Sequence, residues 1–168
     1  MTSDLQYTPL LRSEINELAK ALLYEEVYEF IGGLPTETDF ANALLNALNG
    51  PPPEVYGEKW INYVARLTQT GELIGRLEAT IHDGLAEVAF LYSPAFWGRG
   101  YASKGVTWLQ EHMLEYGQIS SLWGTAHPKN IRSAALLDRL GYSRVTTEDI
   151  PNLYSYDVGD TVFRKDIL

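Results

Sequence analysis

Residues 87–116 read EVAFLYSPAFWGRGYASKGVTWLQEHMLEY, and the rest of the chain is organised around them. An apolar run from Val88 to Tyr92 stops at Ser93-Pro94. Gly98 and Gly100 then open a segment in which Ala102, Val106, Leu109, Met113 and Tyr116 recur with helical period. This spacing predicts a strand, a glycine-rich turn and a helix. The amides of a helix's first turn have no intrahelical acceptor and carry partial positive charge, so glycines that let a ligand approach them make a phosphate site. The expected ligand is phosphorylated.

Two familiar phosphate turns fit poorly. A P-loop needs Gly-Lys-Ser/Thr after four spacer residues, which Gly98 to Lys104 does not supply. A dinucleotide fingerprint is approached by Gly98, Gly100 and Ser103, but it calls for a carboxylate at the end of the next strand. That strand reads Ser120-Ser-Leu-Trp-Gly-Thr125 and has none.

The sequence Trp97-Gly98-Arg99-Gly100-Tyr101-Ala102 resembles motif A of the GNAT N-acetyltransferases, with Trp97 in the Gln/Arg place. The phrase FWGRGYAS looks like the RimJ/RimL branch of that superfamily. A second segment, Asn130-Ile-Arg-Ser133 through Leu140-Gly-Tyr142, is similar to the family's Asn-x-x-Ser/Ala…Leu-Gly-Phe/Tyr signature and follows at the family's spacing.

The remaining sequence suits that frame. At 168 residues and 45% hydrophobic content, one domain over 1–168 would bury roughly 70% of its unfolded surface. No cysteine is present, which excludes disulfides, thiolate metal sites and a cysteine acyl-enzyme. A net charge of -9 and a pI near 4.7 speak against nucleic acid and suit a cationic amine. Neither a signal peptide nor a membrane-length apolar run is read, so a soluble, cytoplasmic protein is expected. A homodimer is allowed rather than required.

In chain order, Leu5 to Leu11 reads as a strand, with Ser13 capping a helix. Tyr24 to Phe30 reads as helical, and Thr36 with Asp39 starts another helix that ends at Gly50 before three prolines. Trp60 to Thr68, Leu73 to His82 and Leu85 to Tyr92 form an antiparallel meander, with a hairpin signal at Asp83-Gly84. After the motif helix come a strand from Ile119 to Ala126 and a helix from about Asn130 to Leu140. Tyr142 to Thr147 and Tyr154 to Lys165 then read as a closing hairpin. The order βααβββαβαββ gives a mixed α/β (α+β) class with about four helices. The resemblance implies a mixed sheet that splays after its fourth strand, with acetyl-CoA as co-substrate in the gap and no metal.

The resemblance also assigns roles. The amides around Arg99 to Ser103 (Arg99, Gly100, Tyr101, Ala102, Ser103), with Gly98 and Trp97, would hold the pyrophosphate. Leu91 and Tyr92 would bond the pantetheine arm, with an N–H near Leu91 polarising the thioester carbonyl. Asn130 and Ser133 would line the far side. Glu87 is the candidate base; the alternative is that strand alternation turns it to solvent or to Arg66 or Arg76. The family's usual acidic tyrosine falls on Leu137, which leaves Ser133 and Tyr142 as substitutes or solvent as the proton source. Trp97 and His127 are read chiefly as structural, His82 as a turn residue and His112 as helix surface. Glu25, Glu26 and Glu29 are either a wall for a cationic acceptor or a solvated face.

The function expected is acetyl transfer from acetyl-CoA to a primary amine, a protein N-terminus or a small molecule, within a ternary complex. A catalytically silent acyl-CoA sensor and a dinucleotide-dependent oxidoreductase are the alternatives.

Overall fold

At Asp83 and Gly84 the backbone takes φ of 49° and 76°, the left-handed pair whose twist suits a two-residue hairpin. In the computed structural model, which describes residues 3–167, that turn joins β3 (Leu73–His82) to β4 (Leu85–Tyr92) in unbroken antiparallel register. β2 (Lys59–Leu67) pairs with β3, and β1 (Leu5–Pro9) pairs with β2, so the meander lies where alternation placed it. Met1, Thr2 and Leu168 lie outside the described residues.

Between β1 and β2 run α1 (Ile15–Leu22), α2 (Glu25–Tyr28) and α3 (Glu37–Asn49). Ser13 is not the cap of α1. A short 3-10 turn over Arg12–Glu14 precedes the helix, and the Glu14 carboxylate accepts from the Leu11 N–H at 2.8 Å. α3 begins as expected, with the Thr36 hydroxyl accepting from the Asp39 N–H. The segment from Tyr24 to Phe30 keeps only four α-helical residues, and the described residues hold five α-helices where about four were expected.

After β4 come α4 (Tyr101–Leu114), β5 (Ser121–Ala126), α5 (Ile131–Arg139), β6 (Ser143–Val145) and β7 (Thr161–Asp166). Among the described residues seven strands form one sheet in the order β1-β2-β3-β4-β5-β7-β6, antiparallel except at β4–β5. Ala86, Val88 and Tyr92 pack on one face with residues of α4 and α5, whereas Val64, Leu73 and Leu91 pack on the other with α1 to α3. The last strand begins at Thr161, not Tyr154, because the amides of residues 154 and 155 bond to Glu87 and residues 157–160 close a turn.

Candidate active site

A 3-10 turn over Pro94–Phe96 takes the chain off β4 and into the glycine segment. Gly98 and Gly100 have φ of 79° and 80°, a region in which an L side chain costs about 1–2 kcal/mol. A Cβ at either would meet no atom within 4 Å, so the backbone is open to an approaching group. Among the described residues, the N–H groups of Gly98, Arg99 and Gly100 meet no protein acceptor, and α4's first helical bond is Lys104 N–H to the Gly100 carbonyl. These amides and the first-turn amides of α4 form a nest suited to an anion.

The sheet opens beside this nest. β4 and β5 are paired only over Leu85–Glu87 with Ser121–Trp123, and beyond that register they part. The gap is a cleft of about 580 Å³. Leu91, Tyr92, Trp97, Gly98, Gly100, Tyr101, Ala102, Ser103, Asn130 and Ser133 all line it, whereas Arg99 does not; its guanidinium lies over the Phe96 ring at 5.4 Å. Trp97 does two things: it lines the cleft, and its indole N–H donates to the Tyr92 carbonyl at 2.8 Å. That carbonyl is therefore shared before any pantetheine arm reaches it. Asn130 caps α5, its side chain accepting from the Ser133 N–H at 3.2 Å.

Three cations that the sequence reading passed over share the lining: Lys129, Arg132 and Arg139. Among the described residues none of them forms an ion pair, and Arg132 lies 4.1 Å over the Trp97 ring. Their signal was the two cations that flank Asn130 in the second motif. Glu26, Glu29 and Phe30 line it too, so the lining carries cations on and just before α5 and carboxylates on and just after α2. His127 stacks on Phe30 at 5.4 Å.

Glu87 does not line this cleft. It is 6% exposed, and each carboxylate oxygen accepts two hydrogen bonds. Oε1 takes the Ser155 N–H at 2.9 Å and hydroxyl at 2.7 Å; Oε2 takes the Tyr154 N–H at 2.9 Å and His82 Nε2 at 2.6 Å. Burial alone would raise its pKa, but the Ser155, Tyr154 and His82 donors outweigh burial and hold the carboxyl below its ordinary 4.5. Neither arginine named as its partner reaches it. Arg66 binds Glu14 and Glu17, and Arg76 binds Asn62 and Glu78.

His82 is not a loose turn residue but the buried last residue of β3. Burial opposes its charge, yet the carboxylates of Asp83 and Glu87 outweigh it and hold the imidazolium pKa above 6.5. His112 is half-buried between Tyr63, 3.0 Å from its Nε2, and the Trp108 ring.

Of the acid candidates, Ser133 lines the cleft while Tyr142 lies outside its lining. The Tyr142 hydroxyl is buried without a partner among the described residues, and burial pushes the phenol well up. Leu137, in the place of the family's tyrosine, packs 3.3 Å from where a Cβ on Gly124 would stand. Among the described residues no group of three or more His, Asp or Glu is arranged to hold a metal ion, and no helix is long and apolar enough to cross a membrane.

Residues 4–143 match the family described as acetyltransferase (GNAT) domain. The chain belongs to the GNAT acetyltransferases. The dinucleotide alternative falls with that match and with the antiparallel meander where a doubly wound fold has parallel strands. Similar solved structures share the fold. One is an acetyltransferase from Salmonella typhimurium that modifies the N-terminal serine of ribosomal protein L7/L12 (16% identity, TM-score 0.79, 99% of this chain and 96% of that one). Another is an acetyltransferase from Agrobacterium tumefaciens (22%, 0.76, 98% and 92%). A third is the aminoglycoside acetyltransferase AAC(6')-Ib in complex with coenzyme A (19%, 0.73, 96% and 94%). Compared with curated proteins, the sequence finds no significant match.

Proposed function

We propose that this GNAT domain transfers an acetyl group from acetyl-CoA to a primary amine, a protein N-terminus or a small molecule, by direct attack within a ternary complex. The observation that carries the reading is the nest of unpartnered amides at Gly98–Gly100, opening beside the point where β4 and β5 part. The residues fit the co-substrate. The nest and the cations Lys129, Arg132 and Arg139 suit its phosphates, the open edge of β4 at Phe90 and Tyr92 suits its pantetheine amides, and the co-substrate supplies the activated acyl group. Glu26 and Glu29 face the cleft from the side left for a cationic acceptor. The likeness of FWGRGYAS to the RimJ/RimL branch favours an N-terminal α-amino group. The setting in this reading is the cytoplasm.

An α-amino group, with a pKa of about 7.7–8.0, loses its proton at pH 7 for only about 1 kcal/mol, whereas a lysine-like amine near 10.4 needs roughly 4–5. With the Glu87 carboxylate fully engaged, the site suits the first class, with proximity supplying most of the rate. The same observation favours a second reading, a silent acyl-CoA sensor. Thermal shift tests the shared part: acetyl-CoA and CoA at 100 times their dissociation constants should add about 2.7 kcal/mol, and NAD nothing. Thiol release across an amine panel separates the two. Release with α-amines supports transfer, and binding without release supports the sensor. Failure of CoA to stabilise the protein overturns both.

A further inference from the structure

Glu87 stands at a particular point of the sheet. Its side chain shares the β4 face of Leu91, the face packed by α1 to α3, and it sits opposite Trp123 in the last register before β4 and β5 part. Beyond it on that face, the segment 150–156 crosses the sheet with Ile150, Leu153 and Tyr156 packed on Leu85 and Trp123. This segment has no strand pairing, and side chains of other elements hold it. The Tyr154 ring stacks on His82 at 4.3 Å and its hydroxyl donates to Glu58 at 3.0 Å. Thr125 of β5 donates its hydroxyl to the Ser155 carbonyl at 3.0 Å. Two residues later His127 stacks on Phe30, which lines the cleft. Segment 150–156 and Phe30, just past α2, thus stand on either side of the β5 end at the split, the segment outside the cleft's lining and Phe30 within it.

A carboxylate offers about four acceptor positions, and all four on Glu87 are taken. A general base needs one aimed at the amine. We propose that Glu87 is a positioning residue: it seats Tyr154 and Ser155 where β4 and β5 part, so that segment 150–156 forms the wall opposite α2 against which the acceptor amine is held. It takes no proton. Glu87 acts through two backbone amides, and His82 fixes the orientation of its carboxylate from the other side.

The inference rests on the acetyl-transfer reading and is tested apart from it. In Glu87→Gln the amide nitrogen must face a donor, so at least one contact is lost. The amine KM should then rise about tenfold, the effect of losing a charged hydrogen bond. The KM for acetyl-CoA and the shape of the kcat/KM profile against pH should match wild type. Ser155→Ala, which removes only the hydroxyl contact, should shift the amine KM in the same direction by less. Amide hydrogen exchange at residues 154 and 155 should quicken in both variants while β4 stays protected. A fall in kcat with a displaced acid limb in Glu87→Gln would make it the base and overturn the proposal. An unchanged amine KM in both variants would overturn it equally. If no amine is turned over, the transfer reading fails, and unchanged exchange at 154 and 155 would still remove Glu87 as the residue that seats the segment.

Discussion

At Gly100 one φ angle links the turn to the chemistry. The residue is the N-cap of α4 at φ 80°, and Gly100→Ala should destabilise the fold by about 1–2 kcal/mol through strain alone, because the added methyl meets open space. That open space is where a diphosphate would approach, so the acetyl-CoA dissociation constant should rise by more than the strain explains, about tenfold or above. Calorimetric titration of a variant that is folded yet binds normally would remove the nest from the site. His82 and Glu87 give a second residue-scale expectation. His82 has a raised pKa, so its contribution is complete below 6.5 and is lost as pH climbs through the folded value; Glu87 has a lowered pKa, so its contribution is complete above 4.5 and is lost as pH falls through the folded value. The pair is therefore strongest from about pH 4.5 to 6.5. Urea midpoints should decline from pH 6 to pH 9 more steeply in wild type than in His82→Gln, and parallel curves would show that the imidazolium contributes nothing.

At the scale of elements, Tyr92 is the wedge between β3, β4 and α4. Gly75 lies directly across from it, and a Cβ there would stand 2.7 Å from its ring; a Cβ at Gly105 of α4 would overlap its hydroxyl. The glycine inside α4 forgoes about 1 kcal/mol of helix propensity for this close fit. Gly105→Ala should cost about 1–3 kcal/mol by overpacking. The Tyr92 hydroxyl is buried without a partner among the described residues, so Tyr92→Phe should be neutral or stabilising, and the double variant should recover most of the loss. Denaturant unfolding decides it: equal destabilisation of the single and double variants would mean that the clash is not the cause. Elements of this kind were legible where their signals are local. β3 and β4 begin and end where alternation and Asp83-Gly84 put them. The strand expected from Tyr154 was misplaced because the amides of residues 154 and 155 bond to Glu87, 67 and 68 positions earlier, which no local pattern carries. The candidate site divides the same way. The glycine nest is written in consecutive residues, whereas the engagement of Glu87 and the meeting of Arg139 with Trp97 and Glu26 around one cleft depend on the assembled sheet.

For the molecule as a whole, charge is distributed against its sum. A chain of net charge -9 gathers Lys129, Arg132 and Arg139 along one side of a single cleft, and within a Debye length of about 10 Å at moderate salt they draw an anion that the remaining surface repels. Arg132 is already set over Trp97, so Arg139 offers the cleaner test. Acetyl-CoA affinity should weaken as ionic strength rises in wild type. Arg139→Gln should bind about fivefold more weakly at low salt, equivalent to about 1 kcal/mol for an exposed charge pair, and should show a shallower salt dependence. The two proteins should converge at high salt, where screening leaves the amide nest and the open β4 edge to hold the ligand. An affinity insensitive to salt in wild type would mean that the anion never comes within reach of these three side chains, and binding would then rest on the backbone amides alone.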